Sequence, residues 1–247
     1  MKVDLIDVMG DDLRVVNAAR VSFAKESDWI IDKNKSIYES GVLTDPYITI
    51  SEQDQKLIKY LANHNHWTPF SHVQITMREK VPIFISRQRF KHMVGFTYNE
   101  VSRRYVDDDP EFYTPSVWRG RPVNAKQGSS DEIIGIGNET PFHVNIEQDW
   151  MIDSDVYYDE YIALCTGMYK ALIAEGVAPE QARMVLPQSM YTEYYATGSL
   201  AAWARVYKLR SHSDAQMEIQ ELAKMWDNEI RKLDQLKYSW SALVDPR

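Results

Sequence analysis

Hydrophobic and polar residues alternate along KVDLIDVM (2–9), which predicts a strand. Gly10-Asp11-Asp12 then opens a helix over LRVVNAARVSF, with Asp11 or Asp12 as its cap. Ser51, three residues before Asp54, forms a capping-box-like start for a second helix, SEQDQKLIKYLANH. From Ser71 the segment SHVQITMREKV sets Val73, Ile75 and Met77 between polar neighbours, the period of a half-buried strand. Pro82 suits the first turn of a helix over PIFISRQRFKH, which is apolar on all sides in its first half. This predicts a helix through the interior, with Arg87 and Lys91 one turn apart, and Gln88 and His92 likewise. Cations carried inward require an anionic partner, from the protein or from a ligand.

Two stretches lack a clear period. Residues 25–50 carry turn signals at Ser40-Gly41 and Asp45-Pro46, and 107–141 opens on three acids before Pro, Gly and Ser; each predicts a loop-rich insertion. A long helix is expected over roughly 142–175, ending at Glu175-Gly176. APEQARMVLP predicts a short helix stopped by Pro187, and MYTEYYAT a strand. SLAAWARVYKLR and DAQMEIQELAKMWDNEIRKL are two further helices. With no repeat and no linker, the expectation is a single α+β domain over 1–247, helices dominating.

Composition narrows the class. A chain of 247 residues, 44% hydrophobic and 26% charged, can bury a full core. No apolar run approaches the length of a bilayer span, and MKVDLIDVMGDDL meets acids too early for a signal peptide. The single cysteine, Cys165, excludes an internal disulfide framework and a multi-cysteine metal site, so a soluble cytoplasmic protein is expected. Its setting in YIALCTGMYKAL predicts a buried structural thiol. A net charge of −8 argues against nucleic acid as the main partner.

Charge is nevertheless uneven. Between Arg78 and Arg104 seven Lys or Arg face two acids, a net of +5, which leaves −13 for the remainder. Such contrast points to a local anion site. Within NEVSRRY, Arg103 and Arg104 can grip a phosphate by forked hydrogen bonds, with Ser102 as a further donor. Glu100 and Asn99 can hold a sugar hydroxyl or orient an arginine; a surface ladder of ion pairs is the bland alternative. His64, His66 and His72 cluster within HNHWTPFSH, but a helix end and a strand would not converge them on a metal, so no metal is expected. GIGN (135–138) lacks the third glycine of a dinucleotide loop.

Taken together, DVMGDDLRVVNAARVSF, KYLANHNHWTPFSHVQITMREKVPIFISRQRFKH, NEVSRRY, EGVAPEQARMVLP and LRSHSDAQMEIQ resemble the flavin-dependent thymidylate synthases, in family order across nearly the whole chain. The resemblance implies helices packed on an antiparallel sheet, a homotetramer and active sites built between subunits. It implies reductive methylation of dUMP to dTMP, with methylenetetrahydrofolate as one-carbon donor, NADPH as reductant, FAD as cofactor and no cysteine nucleophile. By the same resemblance Gln88, Glu100, Ser102, Arg103, Arg104 and Arg183 lie along dUMP, and Arg210 holds the uracil ring and acts in catalysis. His66, Thr68, Lys91, His92, Met93, Glu100, Ser199 and Arg205 fall at flavin-side positions. The family signature Arg-His-Arg reads Lys91-His92-Met93 here, which removes two forked donors. That departure motivates one rival, a non-catalytic nucleotide-binding homologue without productive flavin binding; a single-stranded nucleic-acid binder is a second.

Overall fold

The computed structural model describes residues 1–32, 38–39, 42–43, 47–105, 108–123, 128–147 and 151–245. The chain opens with β1 (Lys2–Met9) and α1 (Asp12–Arg20). Short strands β2 (Ile30–Asp32), β3 (Tyr38–Glu39), β4 (Val42–Leu43) and β5 (Tyr47–Thr49) precede α2 (Glu52–Asn63). Then come β6 (Gln74–Pro82), α3 (Ile83–Arg89) and β7 (Phe96–Glu100). Two hairpins follow, β8 (Val117–Arg119) with β9 (Ile133–Ile136), and β10 (Phe142–Glu147) with β11 (Met151–Val156). The last third holds α4 (Tyr158–Ala174), α5 (Pro179–Ala182), β12 (Tyr191–Ser199), α6 (Leu200–Arg210), α7 (Met217–Arg231) and α8 (Lys237–Val244).

β1, β6, β12 and β7 form one antiparallel sheet in that order, so the fold is the expected α+β arrangement. Alternation on β6 explains its placement. Val73, Ile75, Met77 and Val81 are buried beneath the helices, whereas Arg78 on the opposite face pairs with Glu193 and Thr76 bonds Thr197 at 2.9 Å. Trp203 of α6, Trp226 of α7 and Trp240 of α8 are buried in the same core. Helix starts follow local chemistry: Asp11 Oδ1 accepts from Arg14 N–H at 2.7 Å, and Ser51 Oγ from Asp54 N–H at 3.1 Å. Asp12 instead accepts the N–H groups of Tyr238 and Ser239, at 3.0 and 2.8 Å, and so caps α8 from across the fold. Burial pushes its carboxyl up to about 6, against those hydrogen bonds.

Three expectations need correction. The segment 142–175 is not one helix. Phe142–Glu147 and Met151–Val156 pair as β10 and β11, because Phe142, Val144 and Ile146 alternate with His143, Asn145 and Glu147, and α4 starts only at Tyr158. The helix after Pro82 ends at Arg89, leaving Lys91 and His92 in a turn, so the one-turn pairs Arg87/Lys91 and Gln88/His92 do not form. Cys165 is half-buried rather than interior, since only Tyr169 of α4 is buried. Both turn signals of the 25–50 insertion lie outside the described residues.

The turn after α3 has a physical cause. Arg89 is fully buried, with Nε and Nη2 donating to Glu79 Oε1 at 3.3 and 3.2 Å, and Nη1 to the Tyr98 hydroxyl at 2.5 Å. Its guanidinium lies 4.3 Å from the Phe96 ring centre and 4.8 Å from those of Trp203 and Trp226. Tyr194 donates to Glu79 Oε2 at 2.8 Å, completing the carboxylate's partners. Tyr98 donates to the His92 carbonyl at 2.7 Å, which ties the turn to the cluster. Removing one member of a buried ion pair costs about 3–5 kcal/mol. Arg89→Met is therefore expected to lose that much in chemical denaturation, and Glu79→Gln/Arg89→Met to recover part of it; equal losses in single and double variants would refute the pairing.

Candidate active site

Several parts of the chain converge on a cavity of about 520 Å3. Gln88 comes from the end of α3, Lys208 and Arg210 from the last turn of α6, and His212 and Gln216 from the approach to α7. Cations are favoured at a helix C-terminus, so the end of α6 is a natural place for Lys208 and Arg210. Arg210 Nε donates to His92 Nε2 at 2.9 Å, which requires that ring nitrogen to be unprotonated. His92 meets that requirement. Burial, then the guanidinium charges of Arg210, Arg89 and Arg205, lower its pKa to about 4. No acceptor among the described residues engages the terminal NH2 groups of Arg210. A fixed guanidinium in a cavity within the range of roughly 300–1,000 Å3 that suits small molecules defines a site for a small anionic or electron-rich ligand.

The structure thus brings Gln88, His92 and Arg210 together. The cationic NEVSRRY segment sits elsewhere. Arg103 lines a second cavity of about 130 Å3 with Lys80, Glu111 and Glu193. Its Nη1 reaches the Asp108 carbonyl at 2.5 Å and the Asp108 carboxylate at 2.9 Å. Arg104 donates through N and Nε to Ser102 Oγ, each at 3.3 Å, and Glu100 Oε1 accepts from the Thr192 hydroxyl at 2.6 Å. Arg183 is exposed, with Nε on the Glu180 carbonyl at 3.3 Å.

On the remaining side, the turn carrying Lys91, His92 and Met93 packs against α6. Gly95 adopts φ +80°, and a Cβ there would stand 2.9 Å from that of Ala202, so glycine permits the approach. Arg205 donates to the Val94 carbonyl, while Lys91 is exposed and Met93 is 72% exposed. Ser199 is buried and caps α6 by accepting from Ala202 N–H at 3.2 Å. His66 and Thr68 are exposed in the segment after α2, where the Tyr60, His64 and His66 rings cluster. Among the described residues no three His, Cys, Asp or Glu side chains converge as metal ligands, and no helix is long and apolar enough to cross a membrane.

Sequence reasoning missed Gln216, Glu218 and Arg119. Gln88 Nε2 donates to Gln216 Oε1 at 2.5 Å, Gln216 Nε2 to Glu218 Oε2 at 2.8 Å, and Arg119 Nη2 to Glu218 Oε1 at 2.5 Å. Local pattern could not reveal a chain of contacts between residues 88, 119 and 216–218. The net +5 of the Arg78–Arg104 window and the motif around Gln88 pointed to that neighbourhood, but not to these three residues.

Known proteins share this architecture. The sequence model of the family described as "Thymidylate synthase complementing protein" (Thy1) matches residues 4–234. The flavin-dependent thymidylate synthase of Thermosipho africanus is 36% identical over 219 residues, spanning 89% of this chain and 81% of the relative. A flavin-dependent thymidylate synthase of Thermus thermophilus is 32% identical over 98% of this chain and 75% of its own length. Among solved structures, a UMP/dUMP methylase PolB from Streptomyces cacaoi, bound with 5-Br dUMP, superposes with a TM-score of 0.67 at 26% identity. The match covers 99% of this chain and 97% of that one. The chain belongs to the flavin-dependent thymidylate synthase family.

His92 yields a pH prediction. Its folded pKa near 4 lies below the ordinary value of 6.5, so the unfolded chain binds the extra proton more readily between them. The contribution to stability is full above pH 6.5 and is lost as pH falls toward 4. Nitrogen NMR of the imidazole is expected to show His92 neutral at pH 6, and His92→Asn to flatten the stability–pH slope across that window. A His92 ring protonated at pH 6 would overturn the assignment.

Proposed function

We propose that the protein catalyses reductive methylation of dUMP to dTMP, taking the one-carbon unit from methylenetetrahydrofolate and reducing equivalents from NADPH through FAD. The observation that carries this reading is Arg210, fixed by the neutral His92 and left with free donors facing the Gln88 cavity. A guanidinium held beside a uracil ring stabilises negative charge as it develops there, without reorganising at the moment of reaction. Arg210 therefore takes the catalytic role, and Gln88 contacts the same nucleotide. The dUMP-analogue-bound methylase supports dUMP as the ligand class.

The flavin-side residues suit a dinucleotide in their chemistry. Lys91 and Arg205 are exposed cations for a diphosphate, while His66 and Trp67, the latter 62% exposed, are exposed aromatic rings suited to stacking. We assign FAD to His66, Thr68, Lys91, His92, Met93, Glu100 and Arg205, with Ser199 setting the start of the helix that carries Arg205. Bound there, FAD would supply the redox chemistry, and the protein residues orient ligands and stabilise charge. On this reading the reaction needs no cysteine nucleophile, and Cys165 is a residue of α4 outside the chemistry.

The phosphate of dUMP falls to Glu100, Ser102, Arg103, Arg104 and Arg183, with Glu100 orienting rather than binding it. Arg103 and Arg210 line different cavities of one chain, which supports a site shared between copies. A second copy supplies the missing half within a homotetramer. α4 supports that assembly: Tyr161, Leu164 and Met168 follow one another at helical spacing, 45%, 71% and 51% exposed. The chain works as one domain over 1–247.

Purified protein is expected to form dTMP from dUMP, methylenetetrahydrofolate and NADPH only when FAD is present; dUMP binding without product in either case would favour the non-catalytic homologue. Arg210→Ala should lower turnover by about 100-fold or more while dUMP affinity falls far less. Unchanged turnover would remove Arg210 from the mechanism. Light scattering is expected to give four chains of 28.8 kDa, and a monomer with full activity would exclude a shared site.

A further inference from the structure

The loop-rich stretch 107–141 reaches the site through Arg119. That residue closes β8, where Nε donates to Ser129 Oγ at 2.8 Å within the excursion and Nη2 to Glu218 Oε1 at 2.5 Å on α7. Gly128 of the same excursion lines the Gln88–Arg210 cavity. Glu218 is nearly buried and stands in the first turn of α7, where helix polarity and Arg119 favour its charged form. An ionised carboxylate can only accept hydrogen bonds. Everything attached to it must therefore donate toward it.

That constraint propagates. Amide oxygen and nitrogen are told apart by their partners. Gln216 must turn its NH2 toward Glu218 Oε2, which leaves its oxygen to face Gln88. Gln88 must then turn its NH2 toward Gln216, which leaves its own oxygen unengaged among the described residues. We propose that Arg119 and Glu218 are positioning residues that set the polarity of two amides in series, so that Gln88 presents an acceptor to the cavity and selects a ligand carrying an N–H or O–H donor at that point. A uracil ring N–H and a sugar hydroxyl share that chemistry. The choice of dUMP as probe rests on the function proposed above, but the direction of the relay does not.

Glu218→Gln supplies the test, because it keeps shape and can still accept from Arg119. Its new NH2 would face Gln216, forcing both glutamines to reverse and Gln88 to present a donor. Neutron diffraction of the ligand-free wild type and variant reads the amide directions themselves. Gln216 Nε2 toward Glu218 in the wild type, with reversal in the variant, is the expected result; the same direction in both would overturn the relay whatever the ligand. By calorimetry, Glu218→Gln and Gln88→Ala are each expected to weaken dUMP binding about tenfold, and the double variant no more than either alone. Additive losses with an unchanged melting temperature would make Glu218 merely structural and overturn the proposal. N3-methyl and 3′-deoxy analogues of dUMP separate the two donors: the one Gln88 reads is insensitive to Gln88→Ala, the other is not. A wild type that binds no dUMP while its amides point as described would sink the dUMP reading and leave the relay standing.

Discussion

The pairing of Glu79 with Arg89 is the constraint on which the site depends. Two charges with no solvent exposure are costly to desolvate, so such a pair persists only with complete hydrogen bonding. Here the completing partners are Tyr98 and Tyr194, contributed by two neighbouring strands of the sheet, and four aromatic rings surround the guanidinium. Burial raises the hydroxyl pKa of both tyrosines, that of Tyr98 to about 12, so they remain neutral donors. Fixing Arg89 in the core stops α3 there and turns the chain outward. The Tyr98 hydroxyl then holds the His92 carbonyl, and the His92 ring holds Arg210. Core and cavity are thereby joined by three successive contacts.

Two hydrogen-bonded routes meet at the cavity, and they differ in kind. The core route places a cation, Arg210, against a neutral imidazole whose protonation is suppressed by burial and then by that cation. The route through Arg119 starts from an ion pair nearer the surface and orients amides. One therefore governs charge and the other hydrogen-bond direction. A nucleotide needs both, because its phosphate and ring are recognised by cations whereas its N–H and hydroxyl groups require acceptors.

What could be read from the sequence follows from how local each determinant is. The strand at 74–82 and the helices at 52–63, 200–210 and 217–231 were legible because alternation, periodicity and the cap at Ser51 lie within a few residues. α8 was not, since its cap is Asp12, 227 residues from Ser239. The β10–β11 hairpin was hidden behind the helical pattern of α4, although Phe142, Val144 and Ile146 alternate plainly. Of the cavity, Gln88, His92 and Arg210 were visible through motif resemblance. Gln216 and Glu218 were not, because what matters is a carboxylate held by an arginine on a hairpin 99 residues earlier.

Arg103 and Arg210 line different cavities of one chain, and the proposed nucleotide site therefore spans two copies. A crystal structure of the protein with dUMP and FAD tests it most directly. The expected result is dUMP with its ring against Arg210 of one copy and its phosphate held by Ser102, Arg103 and Arg104 of another. A nucleotide bound wholly within one copy, or away from Arg210, would contradict it.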